Sequence, residues 1–208
     1  MQIKRKASRD SAINVTRRAQ IIKAAIDTIA DLGYDKASFA RITERAGLSS
    51  PRLISYHFAG KDDLIKAIVQ DVYQSGAAFI LGRMEAEETA PGRLKAYLEA
   101  NLEFLRDHPT EIAALTELGS HLRNPSGERS TTAEHQEPGV QGLAELLRDG
   151  QRTGEFRDFD PRSMAVLIRG AIEAAASRVS GSHAIDMDSY TREIVATFLA
   201  ATTGKSPR

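Results

Sequence analysis

An all-α fold is predicted for this chain, with a three-helix helix-turn-helix domain at the N-terminus and a larger helical bundle after it. Three observations carry that expectation. Apolar residues recur at three- and four-residue spacing through most of the 208 residues. Serine, threonine, proline and glycine stand where those stripes begin and end. Nowhere do four or more residues alternate in period two with β-branched or aromatic enrichment, so no strand is expected.

Taken in order, residues 1–15 read as a basic N-terminal arm, with Lys4, Arg5, Lys6 and Arg9 either following phosphates or lying free in solution. The first helix is expected from Thr16, a candidate N-cap, through Ile21, Ile22, Ala25, Ile26, Ile29 and Ala30 to a left-handed stop at Gly33. Ser38 opens a second, short helix carrying Phe39, Ile42 and Ala46, which ends at Gly47. Ser50 and Pro51 start a third of about two turns that closes at Phe58; proline suits a first turn because the N–H it lacks has no partner there. Lys61-Asp62-Asp63 opens a long helix to about Met84, with acids where the helix dipole favours them and Leu64, Ile65, Ile68, Val69, Val72 and Tyr73 on one face.

Further stripes follow: Leu94, Tyr97, Leu98, Leu102 and Leu105 after Pro91; Ile112, Leu115, Leu118 and Leu122 after Thr110; Val140, Leu143, Leu146 and Leu147 after Pro138. Pro161 begins a helix apolar on several faces (Met164, Val166, Leu167, Ile168, Ala171, Ile172, Ala175), which needs more than one partner surface. Ile194, Val195, Phe198 and Leu199 mark the last helix. Arg123 to Glu137 reads as a long loop or flap, and Asp149 to Asp160 as a glycine-punctuated turn. The expected division is 1–15 arm, 16–60 helix-turn-helix domain and 61–208 C-terminal domain.

Composition narrows the function classes. Hydrophobic residues at 41% and charged residues at 27% are ordinary for a folded globular chain. The absence of cysteine excludes disulfides, thiolate metal sites and a cysteine nucleophile, and fits a reducing compartment. No apolar run has the length of a membrane span, and the basic start leads into polar sequence, so a soluble cytoplasmic protein with no membrane partner is expected. The formal net charge of zero hides a division: residues 1–61 hold 12 Lys and Arg against 5 Asp and Glu, and the remainder hold 16 against 23. A basic module joined to an acidic one hints at a polyanion partner for the first.

The stretch "GLSSPRLISYHFAGKDDL", residues 47–64, sharpens the hint. Two short helices around a glycine turn, behind a longer support helix, describe a helix-turn-helix, whose second helix lies in the major groove. Such a helix must bury one side and show hydrogen-bonding groups on the other. Ser50, Arg52, Ser55, Tyr56, His57 and Lys61 can reach bases or phosphates, while Leu53, Ile54 or Phe58 can hold the helix to its supports. Read blandly, Tyr56 and His57 are half-buried residues satisfied by backbone, and Arg52 is a surface charge.

The segment "VTRRAQIIKAAIDTIADLGYDKASFARITERAGLSSPRLISYHFAGKDDLIKAI", residues 15–68, resembles the TetR-type one-component transcriptional regulators. The likeness rests on a helix followed by Gly-Tyr, Ser, Ile-x-x-x-Ala-Gly-Leu-Ser, Tyr-His-Phe and Gly-Lys-x-x-Leu in order, and covers about a quarter of the chain. It implies that Ser38, His57 and Lys61 meet phosphates and that Pro51, Arg52, Leu53, Ser55 and Tyr56 face bases or groove walls. The chain departs from the family pattern in having one more residue between Gly47 and Phe58, placed in the turn at Ser49-Ser50, in Ala40 where many relatives have arginine, and in Ser55 where tyrosine is common.

For the rest of the chain the resemblance implies a homodimer and a cavity for a small-molecule effector, hence a regulator, expected as a repressor released from a palindromic duplex operator. "GQRTGEFRDFDPRSMAVLIRGAIEAAASR", residues 150–178, is similar to the family's segment leading into a dimer-forming helix. The Pro161 helix, with Gly170, Ala171, Ala174, Ala175 and Ala176, and the Ser189–Thr202 helix are the candidate intersubunit face. Tyr97, Glu117, His121 and Arg169 are candidate polar groups of an effector pocket. No cofactor, metal site or catalytic residue is expected: Gly-x-Ser-x-Gly, a phosphate-binding glycine loop and His-Glu-x-x-His are all missing. The rival reading is a helical protein-interaction adaptor that has lost DNA binding.

Overall fold

A computed structural model describes residues 2–119, 121–122, 132–179 and 184–204, with side chains from residue 14 onward except 132, 133 and 135. Every regular element among these residues is a helix: α1 Gln2–Leu32, α2 Phe39–Arg45, α3 Arg52–His57, α4 Lys61–Glu85, α5 Ala90–Asp107, α6 Pro109–Gly119, α7 Thr132–Arg152, α8 Pro161–Ala176 and α9 Met187–Thr203. The chain separates into two packed units. One comprises Met1–Val72 with Ala113–Arg129, the other Tyr73–Ile112 with Ser130–Arg208.

In the N-terminal unit, Ile21, Ile22, Ala25, Ile26 and Ile29 of α1 are all buried, as their spacing requires. α1 ends at Gly33, whose φ of 79° lies in the left-handed region and whose N–H returns to the Ile29 carbonyl at 2.9 Å. Its start differs from expectation. The helix begins at Gln2 and passes through Thr16, so Thr16 is no N-cap and residues 2–15 are helical in backbone. The physical reason is local: residues 2–15 contain no glycine or proline and include several strong helix formers, so nothing upstream of Thr16 interrupts the helix. The side chains of Lys4, Arg5, Lys6 and Arg9 lie outside the described residues.

The expected boundary at residue 60 also shifts. Leu64, Ile65, Ile68 and Val72 of α4 are buried within the first unit, which therefore runs on to Val72. The acids of α4's first turn are Asp62 and Asp63, and Asp63 accepts the Ala59 N–H at 3.0 Å.

In the C-terminal unit, α5 is the central helix, packing against α7, α8 and α9, while α7 packs on α8. Leu94, Leu98, Ala100 and Leu102 are almost wholly buried. α7 begins at Thr132 instead of after Pro138, so Pro138 sits inside it. Proline removes a helical hydrogen bond, but the buried stripe Val140, Leu143, Ala144 and Leu147 holds the helix together around it. Of the expected loop, residues 123–131 lie outside the described residues. The turn expected over 149–160 begins later, since α7 runs to Arg152, and Gln151 near the end of α7 holds it, Nε2 donating to the carbonyls of Arg157 and Phe159 at 3.0 and 2.9 Å. Asp160 caps α8 by accepting the Ser163 N–H at 2.7 Å. The several-sided apolar character of α8 is real, since Met164, Ile168 and Ile172 are buried while Val166 and Leu167 are 51% and 62% exposed.

Candidate nucleic-acid interface

The turn between α2 and α3 is built from local chemistry. Ser38 caps α2, its Oγ accepting the Arg41 N–H at 3.4 Å. Gly47, with φ of 62°, reverses the chain, its N–H donating to Glu44 and that of Leu48 to Thr43, both at 3.0 Å. Ser50 Oγ then accepts the Arg52 N–H at 3.2 Å at the start of α3, and Pro51 occupies the capping position itself.

α3 has two unlike sides. Ile54 is fully buried and Phe58, just after the helix, is 2% exposed. Arg52, Ser55 and Tyr56 are exposed, Tyr56 to 75%, with Pro51 beside them. Leu53 and His57 are half-buried, and the His57 ring meets the Tyr56 ring edge-on at 5.1 Å. Hydroxyl, guanidinium and phenol groups thus share the outward side with nothing apolar larger than proline fully exposed among them, which is the chemistry a groove-reading helix needs.

The short helices are closed from α1. Arg18 Nη1 donates to the His57 carbonyl at 2.8 Å, and its guanidinium lies 4.2 Å from the Phe58 ring centroid. Gln20 Nε2 donates to the Ala46 carbonyl at 2.6 Å, at the end of α2. Sequence reasoning missed both residues. A six-residue helix supplies few partners for its own final carbonyls, so a donor from elsewhere was to be expected, but nothing local says which. Lys36 and Arg41 were missed as well; both are exposed cations flanking Ser38.

Lys61 stands apart from the outward set. Its ammonium donates to the Tyr34 carbonyl at 2.8 Å and lies 3.7 Å from the Tyr34 ring centroid, and burial lowers its pKa, with Asp35 opposing the shift. The other expected polar groups fall into two sets. Tyr97 and Arg169 meet in the C-terminal unit, where Arg169 Nη1 reaches Tyr97 Oη at 3.3 Å. Glu117 and His121 belong to the N-terminal unit and are exposed, the His121 ring stacking on Tyr34 at 3.9 Å. Glu117 and His121 thus fall in one packed unit and Tyr97 and Arg169 in the other. Among the described residues no cluster of His, Cys, Asp and Glu could hold a metal, and no helix is long and apolar enough to cross a membrane.

Residues 21–68, which contain α2, the turn and α3, match the model of bacterial regulatory proteins of the tetR family. The chain carries a TetR-family N-terminal domain. Curated relatives agree: the transcriptional regulator BetI 1 of Chromohalobacter salexigens is 34% identical over 42% of this chain and 43% of its own length. BetI of Cronobacter sakazakii is 32% identical over 47% and 49%. The match thus spans under half the length of these TetR-family relatives, which are named as regulators and not as enzymes.

Solved structures extend the fold likeness to nearly the whole chain. A tetR-family regulatory protein from Rhodococcus RHA1 superposes with a TM-score of 0.73 at 21% identity, covering 92% of this chain and 98% of its own. AibR, solved with isovaleryl coenzyme A and operator DNA, gives 0.71 at 18% identity over 87% and 97%. The fatty acid degradation regulator FadR of Bacillus halodurans gives 0.74 at 22% over 92% and 97%. At these identities the likeness is one of fold.

Proposed function

We propose that this chain is a homodimeric, ligand-responsive DNA-binding transcriptional regulator of the bacterial cytoplasm, a repressor that a small molecule releases from a palindromic operator. The observation that carries the reading is α3 itself, with Ile54 and Phe58 buried and Arg52, Ser55 and Tyr56 turned out. One such helix covers too few base pairs for specificity. A two-fold dimer presents two, about 34 to 36 Å apart or a multiple of that.

The exposed Val166 and Leu167 of α8, with Gly170 on the same side, support a partner surface of that kind. The complex of AibR with both an acyl-coenzyme A and operator DNA supports pairing an effector with an operator here. In this reading Pro51, Arg52, Leu53, Ser55 and Tyr56 face the groove, while Ser38, Ser50 and His57 stand near phosphates. Lys61 donates to the Tyr34 carbonyl and keeps two further N–H donors for a phosphate.

Selection of bound sequences from random duplexes tests the proposal directly. The expected product is an inverted repeat with fixed half-site spacing, bound with an affinity that falls steeply with salt. Arg52→Ala and Tyr56→Ala are expected to lower operator affinity, by about 1 to 3 kcal/mol where a base contact is lost, with the helical content unchanged. No enrichment, or operator affinity unchanged in both variants, would end the reading.

A further inference from the structure

The C-terminal unit contains a cation without a counter-ion. Arg169 of α8 is half-buried, and its guanidinium meets only neutral acceptors: Tyr97 Oη at 3.3 Å and Asn101 Oδ1 at 3.2 Å, both from α5 and both buried. Its Nε–H is shielded from solvent and has no hydrogen-bond partner. Gly139 of α7 packs beside it, an ideal Cβ there standing 3.5 Å from Nε. Among the described residues no carboxylate lies within ion-pair distance of Arg169; some arginines of the unit are paired, as Arg162 is with Glu137 at 2.8 Å, and others, such as Arg157 and Arg178, are not. Glu173, one turn further along α8, is exposed and makes no ion pair with it. Together with Arg169 it sets the field at the Tyr73 phenol of α4, whose pKa burial raises.

The donor inventory sharpens the picture. Asn101 Nδ2 donates one of its two N–H groups to the Tyr97 carbonyl at 2.7 Å, which fixes the amide so that its Oδ1 accepts from Arg169. Tyr97 Oη accepts from Arg169 and has its own O–H left to donate. Arg169 Nε–H and Tyr97 O–H are thus two unfilled donors about one positive charge, between α5, α7 and α8. A donor shielded from water without a partner is costly, and an anion accepting from this guanidinium would offset that cost. One guanidinium balances one negative charge. A dianion would be left with an excess in apolar surroundings.

We propose that Arg169, with Tyr97 beside it and Asn101 holding it, receives the head group of an organic monocarboxylate with an apolar body. The inference deepens the reading of this unit as an effector domain and rests on it. Arg169 and Tyr97 contact the carboxylate; Asn101 is a positioning residue.

The test uses the full chain without DNA, so its outcome is separate from that of operator selection. Protein labelled with 15N-arginine is titrated with octanoate, phenylacetate, their neutral amides and inorganic phosphate, and the Nε–H resonance of Arg169, assigned from its loss in Arg169→Lys, is followed. At least one of the two acids is expected to move that resonance and raise the melting temperature, while its amide does neither. Arg169→Met should weaken binding of that acid about tenfold or more, the loss of a charge-assisted hydrogen bond. Tyr97→Phe should weaken it less.

Amides acting as well as acids, phosphate acting in place of both, neither acid moving the resonance, or Arg169→Met binding the acid unchanged would each overturn the assignment. Should Arg169→Met fail to fold, the titration of the unsubstituted chain still decides.

Discussion

Replacing Arg18 by methionine removes the tie between α1 and the end of α3 while keeping an unbranched apolar stem against Phe58. Two contributions are lost. The hydrogen bond from the guanidinium to the His57 carbonyl, at 2.8 Å and part-buried, belongs to a class worth about 1.5 to 3 kcal/mol, of which partial exposure argues for the lower end. The guanidinium over the Phe58 ring at 4.2 Å adds about 0.5 kcal/mol at a site still open to water. Local opening of α3 should therefore become easier by about 2 kcal/mol, which speeds amide exchange about 30-fold where exchange follows opening.

Hydrogen exchange read at the amides of Ile54 and Phe58, whose acceptors are the carbonyls of Pro51 and Ile54, is the direct assay. Unchanged protection at both would refute the idea that α1 closes this helix. Operator affinity gives a second readout. If Arg18→Met left protection intact but reduced the salt slope of DNA binding by about one, Arg18 would be a phosphate contact and not a closure.

Other consequences are as concrete. Leu167→Glu, placed on the exposed apolar side of α8, is expected to weaken the proposed dimer in sedimentation to the point of yielding monomers, and a dimer of unchanged strength would move the interface elsewhere. Gly150→Ala puts a methyl into the Phe156 ring and 2.8 Å from the Ala90 Cβ, so overpacking should lower stability by about 1 to 3 kcal/mol in denaturant titration. The Asp160 carboxyl is held below its ordinary pKa, first by the Ser163 side chain and then by the Ser163 N–H. Its contribution is thus present above the usual carboxylate range and is lost as pH falls through the lowered value. Relative to Asp160→Asn, the unsubstituted chain should lose stability more steeply on acidification, and parallel melting curves across that range would contradict the cap.

Most of the fold is written in short-range pattern. The stripes of α1, α4, α5 and α8 are visible because three-and-four spacing must bury one side of a helix, and Gly33, Ser38 and Gly47 announce helix ends by their own backbone and side-chain chemistry. Thr16 and Pro138 misled because a residue suited to a boundary makes none when its neighbours favour continuing. The outward residues of α3 were legible as a composition: Arg52, Ser55 and Tyr56 are too polar for a core.

What remained hidden is long-range. Arg18 closes a carbonyl 39 residues away, Gln20 one 26 away and Lys61 one 27 away, and no periodicity connects such pairs. Glu117 and His121 were grouped with Tyr97 and Arg169 on residue type alone, and type does not reveal in which packed unit a side chain lies. Conversely, the excess apolar surface of α8 was foreseeable, because Val166 and Leu167 exceed what one buried face can use.

Closure of α3 by a neighbour has a consequence for how such a protein can change. Since Ile54 and Phe58 fasten that helix and Arg18 terminates it, its remaining positions are released from maintaining their own shape. In the proposed DNA-reading role, drift among them would alter which nucleotide sequences are preferred at little structural risk. Selection could thus retune target choice one side chain at a time while the scaffold beneath stays constant.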